Sequence, residues 1–423
     1  MKIKITKKSY SEVMKLKPYV HKRPSKQSWF FKHLIRFLTR GDMKRFNFKV
    51  ERIGMDGFDY KRPCLYLMNH SSFTDLKLAF NIIHPNKFHI VTTDDAFIGK
   101  NWLMRIIGCV ATKKFMNDTS LVKNMVYCIK KLKSSVLMFP EAGYSFDGTK
   151  TTLPDSLGKC AKLLGVPVIM ITTYGAFLRD PLYNNLQIRK VDIKATLECI
   201  ISDEDVKSKS VNELQNVILE AFSFDNFKYQ QNNLIRINEE FRADFLNRLL
   251  YKCPNCGVEG KMEGKGIYLT CNACGKKHEL TEYGFLKAID KETRFNHIPD
   301  WYNYEREEVK KELIEGTLKI EALVDIYMII DTKQVFYVGE GNIIQTNEGI
   351  HLVGINSEID YWHKPKESYT INSDFNWYEI GDMVSIGNMK ERYYCVPKNS
   401  TDIVCKMRLA QEELYKLNKN NNK

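Results

Sequence analysis

The sequence predicts an α/β domain with a mixed sheet flanked by helices, then a cysteine-rich module and a mostly β C-terminal domain with a closing helix. In the first half, apolar runs such as 65–68, 135–139 and 166–171 alternate with segments of helical periodicity. Two Cys-x-x-Cys pairs follow near the middle of the chain. Beyond residue 317, short strand-like runs alternate with Gly and Asn turns, and 402–417 reads as a final helix.

The formal charge of +13 is concentrated in residues 1–49, which hold fifteen Lys and Arg against two acidic residues. The rest of the chain is balanced. A basic segment of this kind suits an anionic surface, and a solvated tail is the alternative. Because the balanced remainder carries no basic footprint, we expect no nucleic acid partner. Neither a transmembrane run nor the apolar core of a signal peptide is evident in the sequence.

Residues 28–39 are predicted to form an amphipathic helix with an aromatic face. Lys32 and Arg36 lie off this face, and Arg40 sits near its rim. The apolar face consists of Trp29, Phe30, Leu34, Phe37 and Leu38. Such a composition is typical of a helix that lies in a membrane interface, and packing on the core of the α/β domain is the alternative.

His70 and Asp75 lie in a polar stretch between a predicted strand, 65–68, and a predicted helix, 76–83. Histidine titrates near neutral pH and is the usual general base for a hydroxyl. A carboxylate bonded to the far ring nitrogen would fix the tautomer and stabilise the imidazolium. The alternative is that Asp75 or Thr74 simply caps the following helix.

A second motif ends the apolar run 135–139 and reads Phe139-Pro140-Glu141-Ala142-Gly143-Tyr144-Ser145. Together the two motifs resemble the glycerolipid acyltransferase family, which carries His-x4-Asp and then, about seventy residues later, Phe-Pro-Glu-Gly-x-Arg. The separation between His70 and Glu141 fits this pattern. The resemblance covers roughly residues 50–225, including the apolar strand 166–171, which is similar to the family's fourth motif.

The resemblance implies transfer of a fatty acyl group from a thioester to a lysophospholipid hydroxyl in phospholipid biosynthesis, with 1-acylglycerol-3-phosphate as the expected acceptor. It assigns His70 as the base, Asp75 as the group that orients it, and Glu141 to binding of the acceptor glycerol. The acyl donor is expected to be acyl-CoA or an acyl carrier protein. Backbone amides near 139–144 are candidates for stabilising the oxyanion.

The predicted acceptor site departs from the family pattern. Lys114, with Lys113 next to it, stands where the family has an Arg that contacts the acceptor phosphate, and a solvated basic pair is the alternative. Tyr144 replaces a second Arg and Ala142 replaces a Gly, while Gly143 stays in the predicted acceptor site. A lysine lacks the bidentate fork of Arg, and a tyrosine carries no charge. A less charged lipid or another hydroxyl acceptor is therefore the alternative substrate.

The two Cys-x-x-Cys pairs are each followed by glycine and enclose fourteen residues. This spacing resembles a zinc ribbon, and four thiolates suit tetrahedral Zn²⁺. A closed four-cysteine site has no open position for a substrate, so we expect the zinc to be structural. The predicted ligands are Cys253, Cys256, Cys271 and Cys274.

The sequence thus predicts five segments. They are a basic amphipathic membrane-docking segment (1–49), an acyltransferase domain (50–225), a helical linker (226–250), a zinc ribbon (251–282) and a β-rich, pleckstrin-homology-like domain (283–423). We expect a cytoplasmic protein, peripheral at the inner face of a membrane, whose partners are the lipid acceptor, the acyl donor and the anionic membrane surface. The alternative is a non-catalytic lipid- or protein-binding scaffold.

Overall fold

The computed structural model of the protein describes residues 3–116, 118–290, 292–398 and 402–420. The strands are β1 (Ile5–Lys7), β2 (Lys49–Ile53), β3 (Leu65–Met68), β4 (Phe88–Thr93), β5 (Cys109–Thr112), β6 (Ser135–Met138), β7 (Val168–Tyr174), β8 (Lys194–Ile201), β9 (Met262–Lys265), β10 (Tyr268–Cys271), β11 (Lys277–Leu280), β12 (Leu286–Ala288), β13 (Ile320–Met328), β14 (Val335–Thr346), β15 (Gly349–Gly354), β16 (Asp360–His363), β17 (Asn372–Trp377), β18 (Gly381–Gly387) and β19 (Arg392–Pro397). The helices are α1 (Tyr10–Met14), α2 (Trp29–Arg45), α3 (Asp75–Ile83), α4 (Asn101–Ile106), α5 (Thr119–Lys130), α6 (Leu157–Leu164), α7 (Ala176–Arg179), α8 (Asp203–Ser208), α9 (Val211–Ala221), α10 (Asn226–Asn232), α11 (Ile298–Glu315) and α12 (Ile403–Asn420).

The first half of the chain forms a seven-stranded mixed sheet in the order β2-β8-β7-β3-β6-β4-β5. The five strands from β7 to β5 are parallel to one another, and β8 is antiparallel to β7. This confirms the predicted α/β domain with a mixed sheet and flanking helices. Because β3, β4, β5 and β6 run in the same direction, the loops that follow them emerge at one edge of the sheet, where ligands bind in folds of this kind.

The cysteine-rich module is a four-stranded antiparallel sheet in the order β12-β11-β10-β9. The C-terminal domain follows with seven antiparallel strands, in which β13 pairs with both β14 and β19. Helix α12 closes this domain and packs against β17, β18 and α11. The predicted order of a β-rich domain with a closing helix is confirmed, whereas its likeness to a pleckstrin-homology domain stays a prediction.

The N-terminal segment is tied into two domains of the protein. Strand β1 pairs in parallel with β14, with Ile5 opposite Val335. Farther along, Tyr19 N donates to Ile330 O in the C-terminal domain, and its hydroxyl accepts a hydrogen bond from Asn101 in the α/β domain. Neither β1 nor α1 was predicted from the sequence, because elements of three and five residues are too short to show periodicity.

Helix α2 is longer than predicted and packs on the core through its polar side. Lys32, which is only 6% exposed, donates to Pro85 O at 2.6 Å. Asn81 of α3 donates to Thr39 at 2.9 Å, and Phe31 and Ile35 pack beside these contacts. The aromatic face is therefore left in solvent.

The predicted helical linker at 226–250 is wrong for most of its length. Only α10 is helical, and the chain from 233 to 250 runs in turns, with a single turn of 3-10 helix at Leu246–Arg248. The reason is tertiary: Asn184 donates to the carbonyls of Phe241 and Asp244, and Arg189 donates to that of Arg242. Backbone carbonyls that are bonded in this way are not available for a helical ladder.

The C-terminal domain packs on the edge of the α/β sheet where the parallel strands end. Phe375 of β17 stacks on Phe146 with ring centroids 4.3 Å apart, and Tyr378 donates to Asp95 O. Strand prediction was least accurate in this domain. Among the short runs beyond residue 317, the sequence pattern predicts strands at 369–371 and 377–380, which fall mainly in bends and turns, and it misses β16 and β19. No helix in the described part of the chain is both long and apolar enough to cross a bilayer.

Candidate active site

The loop after β3 is fixed to the neighbouring strand before it reaches His70. Asn69 is completely buried, and its side-chain oxygen accepts a bond from Thr173 N at 2.7 Å. Its amide nitrogen donates to Thr173 O and to Ser71 Oγ. Because the buried Asn69 amide is hydrogen-bonded through both its oxygen and its nitrogen, it holds the loop in one conformation. This holds the backbone on which His70 sits.

His70 and Asp75 are joined as predicted by the motif spacing. The Nδ1 atom of His70 lies 3.0 Å from Asp75 Oδ2, and the carboxylate is only 1% exposed. The same oxygen accepts bonds from Ser71 N at 2.8 Å and Ser72 N at 3.0 Å. Thr74, at the N-cap of α3, makes no side-chain capping bond. Asp75 thus holds the amides of the loop before α3 and bonds the ring, and neither Asp75 nor Thr74 makes the side-chain helix cap that was the alternative.

The His70 ring is held between aromatic neighbours and stays partly open to solvent. Its centroid lies 4.4 Å from that of Phe139 and 4.0 Å from that of Tyr144. Tyr144 in turn stacks on Phe73 at 4.9 Å. The His70 side chain is 21% exposed, so it is reachable. Since Nδ1 faces the carboxylate, Nε2 is the ring atom left to act on a substrate.

Glu141 lies beside His70 but both of its oxygens contact backbone amides. Oε2 accepts from His70 N at 2.7 Å and Oε1 accepts from Thr151 N at 2.8 Å. Burial raises the pKa of Glu141 to about 7, although these two bonds act in the opposite direction. The geometry makes Glu141 a link between the His70 loop and the 149–151 loop. The predicted contact to acceptor glycerol would have to use these same oxygens.

The loop that carries Tyr144 turns sharply and leaves two amides free. Ala142 has φ +52°, in the left-handed region where the related family has glycine, at a cost of about 1–2 kcal/mol. Ala142 N donates to Phe139 O, and Ser145 N donates to His70 O. Within the described residues, the amides of Gly143 and Tyr144 have no partner.

Lys113 and Lys114 follow β5 at the same edge of the sheet, three strands away from β3. Neighbouring strands are about 4.8 Å apart, so the span from His70 to Lys114 is of the order of 14 Å. Both lysines contact the C-terminal domain. Lys113 donates to Met389 O, and Lys114 donates to Asn372 Oδ1 at 3.1 Å. They are therefore not a free basic pair.

Sequence reasoning missed the residues that the C-terminal domain brings to this site. Arg408 of α12 donates to Tyr144 O at 3.3 Å, and its guanidinium lies 4.4 Å from the Phe146 ring centroid. Asn372 and Asp374 of β17 approach Lys114. These residues lie more than 200 positions beyond the acyltransferase motifs. Local patterns carry no signal for such contacts.

The four predicted zinc ligands come together in the cysteine-rich module. Their sulfur atoms all lie within 4.8 Å of one another, with 3.8 Å for Cys253–Cys274 and for Cys256–Cys271. Four sulfurs placed 2.3 Å from one ion at tetrahedral angles would be about 3.8 Å apart. Gly257 and Gly275, at φ +75° and +73°, close the two turns. The cluster therefore fits one tetrahedral metal ion.

Residues 47–173 match the Acyltransferase family. This segment contains the His70 and Glu141 motifs and strands β2 to β6, with most of β7. A solved structure, the 1-acyl-sn-glycerophosphate (LPA) acyltransferase of Thermotoga maritima, is 18% identical and covers 46% of this chain and 77% of that chain, with a TM-score of 0.37.

Two plant sequences and one algal sequence are similar to part of the chain. The chloroplastic 1-acyl-sn-glycerol-3-phosphate acyltransferase of Brassica napus is 32% identical over 115 residues, 27% of this chain and 33% of the relative. Those of Arabidopsis thaliana and Chlamydomonas reinhardtii are 31% and 28% identical, over 27% and 34% of this chain and 32% and 43% of theirs. The matched region spans about a third of the length of the first two relatives. Residues 47–173 therefore match the Acyltransferase family, and part of the chain is similar to proteins named as 1-acyl-sn-glycerol-3-phosphate acyltransferases.

Proposed function

We propose that the protein is an O-acyltransferase that moves a fatty acyl group from a thioester to the free hydroxyl of a lysophospholipid, with 1-acylglycerol-3-phosphate as the first acceptor. The observation that carries this proposal is the contact between His70 Nδ1 and the buried Asp75 carboxylate. It orients a partly exposed imidazole at the sheet edge with Nε2 available as a base. The similar plant proteins are named as acyltransferases for this acceptor.

In the proposed reaction, His70 Nε2 takes the proton of the acceptor hydroxyl as its oxygen attacks the thioester carbonyl carbon. The imidazolium that forms is stabilised by Asp75 and by the ring faces of Phe139 and Tyr144. The tetrahedral intermediate then collapses, the carbon–sulfur bond breaks, and the proton passes from His70 to the leaving thiolate. No acyl-enzyme is needed.

The amides of Gly143 and Tyr144 are the candidates for binding the oxyanion. Neither has a hydrogen-bond partner among the described residues, and they belong to the loop whose Tyr144 ring contacts His70. We assign Glu141 a positioning role through the His70 and Thr151 amides. Lys114, with Lys113, remains the proposed contact for the acceptor phosphate as a point charge. The donor is proposed to be acyl-CoA or an acyl carrier protein.

The four-cysteine cluster is proposed to hold one structural Zn²⁺. Ligand type, count and sulfur spacing all fit that ion, and the two glycine turns have the geometry of closed knuckles. The ion would link β10 to the turn that precedes β9, in a sheet that has few strands to build a core of its own.

We propose that α2 docks on an anionic membrane surface. All but Leu34 of the side chains on its predicted apolar face are more than half exposed, and so is Trp102 of α4, whose ring centroid lies 6.3 Å from that of Phe31. The exposed side chains are Trp29, Phe30, Phe37, Leu38 and Trp102. Arg40 and the basic last turn, Lys44 and Arg45, lie on the same helix. Aromatic rings with flanking cations suit the boundary between acyl chains and anionic head groups, where a lysolipid acceptor resides.

Thiol release from an acyl thioester, measured with and without 1-acylglycerol-3-phosphate, tests the activity. We expect acceptor-dependent release that falls at least about 100-fold in His70→Ala. His351→Ala is a matched control, because His351 pairs with Asp360 at 2.7 Å on the surface of the C-terminal domain. Release that is equal in wild type and His70→Ala would refute the proposal. If a panel of lysolipids gave no release at all, the scaffold alternative would be favoured.

A further inference from the structure

Strand β17 of the C-terminal domain presents buried polar atoms to the acyltransferase site. Asn372 is 1% exposed, and its Oδ1 accepts the bond from Lys114. Its Nδ2 and the Oδ1 of Asp374 are both buried, and neither has a hydrogen-bond partner among the residues that the structure describes. Buried polar groups are almost always paired, since an unpaired one costs about 1–3 kcal/mol. Two such atoms on the same side of one strand indicate a place for a ligand.

These atoms are linked electrostatically to the catalytic residues. Burial raises the pKa of Asp374 to about 7, with the nearby Lys114 charge opposing the shift and Asp95 adding to it. The pKa of the Tyr144 hydroxyl is raised by burial first and then by the charges of Asp75 and Asp374. Since Tyr144 packs against His70, the charge of Asp374 acts on a side chain in direct contact with the proposed base.

Space is available beside Lys114. A cavity of about 70 Å³ lies between the ends of β4 and β5, the 18–21 segment and the turns of the C-terminal domain. By the same measure about 10–15 Å³ holds one water, so the cavity has room for a small polar group. Lys113, Lys114, Arg392 and Asp95 are among its lining residues. Asn372 and Asp374 do not line this cavity, and Lys114, which does and which donates to Asn372, connects β17 to it.

We propose that β17 completes the acceptor head-group site: the Asn372 amide donates to a phosphate oxygen, and the Asp374 carboxyl accepts an O–H or N–H of the same head group. This inference rests on the proposed function. The substrate class is a lysolipid whose head group carries a phosphate and at least one hydrogen-bond donor. A hydroxylated phosphodiester belongs to this class, and so does singly protonated 1-acylglycerol-3-phosphate.

The mixed charge of the site is the reason for requiring a donor. A dianionic phosphate close to Lys114 would also lie close to Asp95 and Asp374, and like charges in a buried site repel strongly. If the head group carries a hydrogen-bond donor, its contact with Asp374 is a favourable hydrogen bond instead of a repulsion between like charges. The C-terminal domain would then select the acceptor, which explains why Lys114 can stand where the related family has Arg.

Two acceptors with the same charge isolate this effect. Lysophosphatidylglycerol and lysophosphatidylmethanol are both singly charged phosphodiesters, and only the first has hydroxyl donors on its head group. We expect wild type to favour the glycerol head by about tenfold in kcat/KM, as a hydrogen bond to a charged group predicts. Asp374→Ala should remove the preference, and Asn372→Ala should weaken both acceptors equally, by about fivefold. Ser373→Ala, on the opposite face of the strand, is the matched control and should change neither value.

Asp374→Asn keeps the size of the side chain and is the second variant if Asp374→Ala fails to fold. It retains an acceptor without the charge, so the preference should fall to about threefold. An active wild type with no preference, or a preference that survives in the Asp374 variants, overturns the inference while the proposed function stands. Faster turnover of every acceptor by Asn372→Ala would show that β17 blocks the site, which also overturns it. A wild type inactive with all acceptors refutes the proposed function itself.

Discussion

Replacing Asp75 by Asn separates its catalytic role from its structural one. The asparagine oxygen can still accept the bonds from Ser71 N and Ser72 N, so the loop keeps both contacts. What is lost is the negative charge 3.0 Å from His70 Nδ1, which stabilises the imidazolium, whereas the asparagine oxygen, held by the two loop amides, can still accept from Nδ1–H. We expect kcat to fall about 10²–10⁴-fold, which corresponds to about 2.7–5.5 kcal/mol of transition-state stabilisation.

The expected effect on stability is much smaller. Two hydrogen bonds change from charged to neutral acceptors, which is about 1 kcal/mol each or less, so the melting temperature should fall by a few degrees. The assay is acceptor-dependent thiol release at saturating substrate, with the melting temperature measured on the same preparation. A folded Asp75→Asn protein whose kcat stays within about threefold of wild type would show that Asp75 serves only to hold the loop amides, and our account of the site would be wrong.

Three further outcomes follow from the structure. The double variant Phe37→Ser, Leu38→Ser should bind anionic vesicles at least about tenfold more weakly, with an unchanged melting temperature. Ile314→Ser, on the exposed side of α11, is the control and should bind as tightly as wild type. Equal sedimentation of wild type and both variants with the vesicles would exclude α2 as the docking face. A zinc chelator should release about one Zn²⁺ per chain and lower the melting temperature. Cys253→Ser should contain no zinc, whereas Cys160→Ser, outside the cluster, should keep it. A wild-type protein that contains no zinc after purification would contradict this prediction. The folded-state pKa of Asp374 lies above its unfolded value, so its contribution to stability is present at low pH and is lost as the pH rises from about 4 through about 7. Buried histidines such as His363, with a pKa near 4, act in the opposite direction, but only below about pH 6.5. The melting temperature should therefore fall from pH 6.5 to 8, less steeply in Asp374→Asn, and an identical slope in the two proteins would exclude Asp374 as the cause.

Local sequence rules were sufficient for the α/β domain and for the cysteine cluster. Strand β3, the polar loop and α3 follow from the change of hydrophobic period at residues 69–75, and a short loop forces His70 and Asp75 to be neighbours. Glycine after each cysteine pair is required for the left-handed turns seen at Gly257 and Gly275. In these regions the local structure is determined by residues only a few positions apart in the sequence.

The rest of the candidate site depends on contacts that no local pattern records. Tyr144 could be identified as a departure from the family, but its stacking on His70 and Phe73 required the fold. Lys32 looked like a solvent-facing cation, and it is buried because Pro85 O accepts its ammonium. The partners of Lys114 lie on a strand more than 250 residues away. Position in sequence and position in space are unrelated for these pairs.

The pairing of β1 with β14 has a consequence for how the chain is made. Ile5 pairs with Val335, so β1 cannot be placed in its sheet until the much later strand β14 has been synthesised. During that interval the basic N-terminus, with its exposed aromatic helix close behind it, is free to meet a bilayer. Membrane contact during translation would then precede closure of the C-terminal sheet.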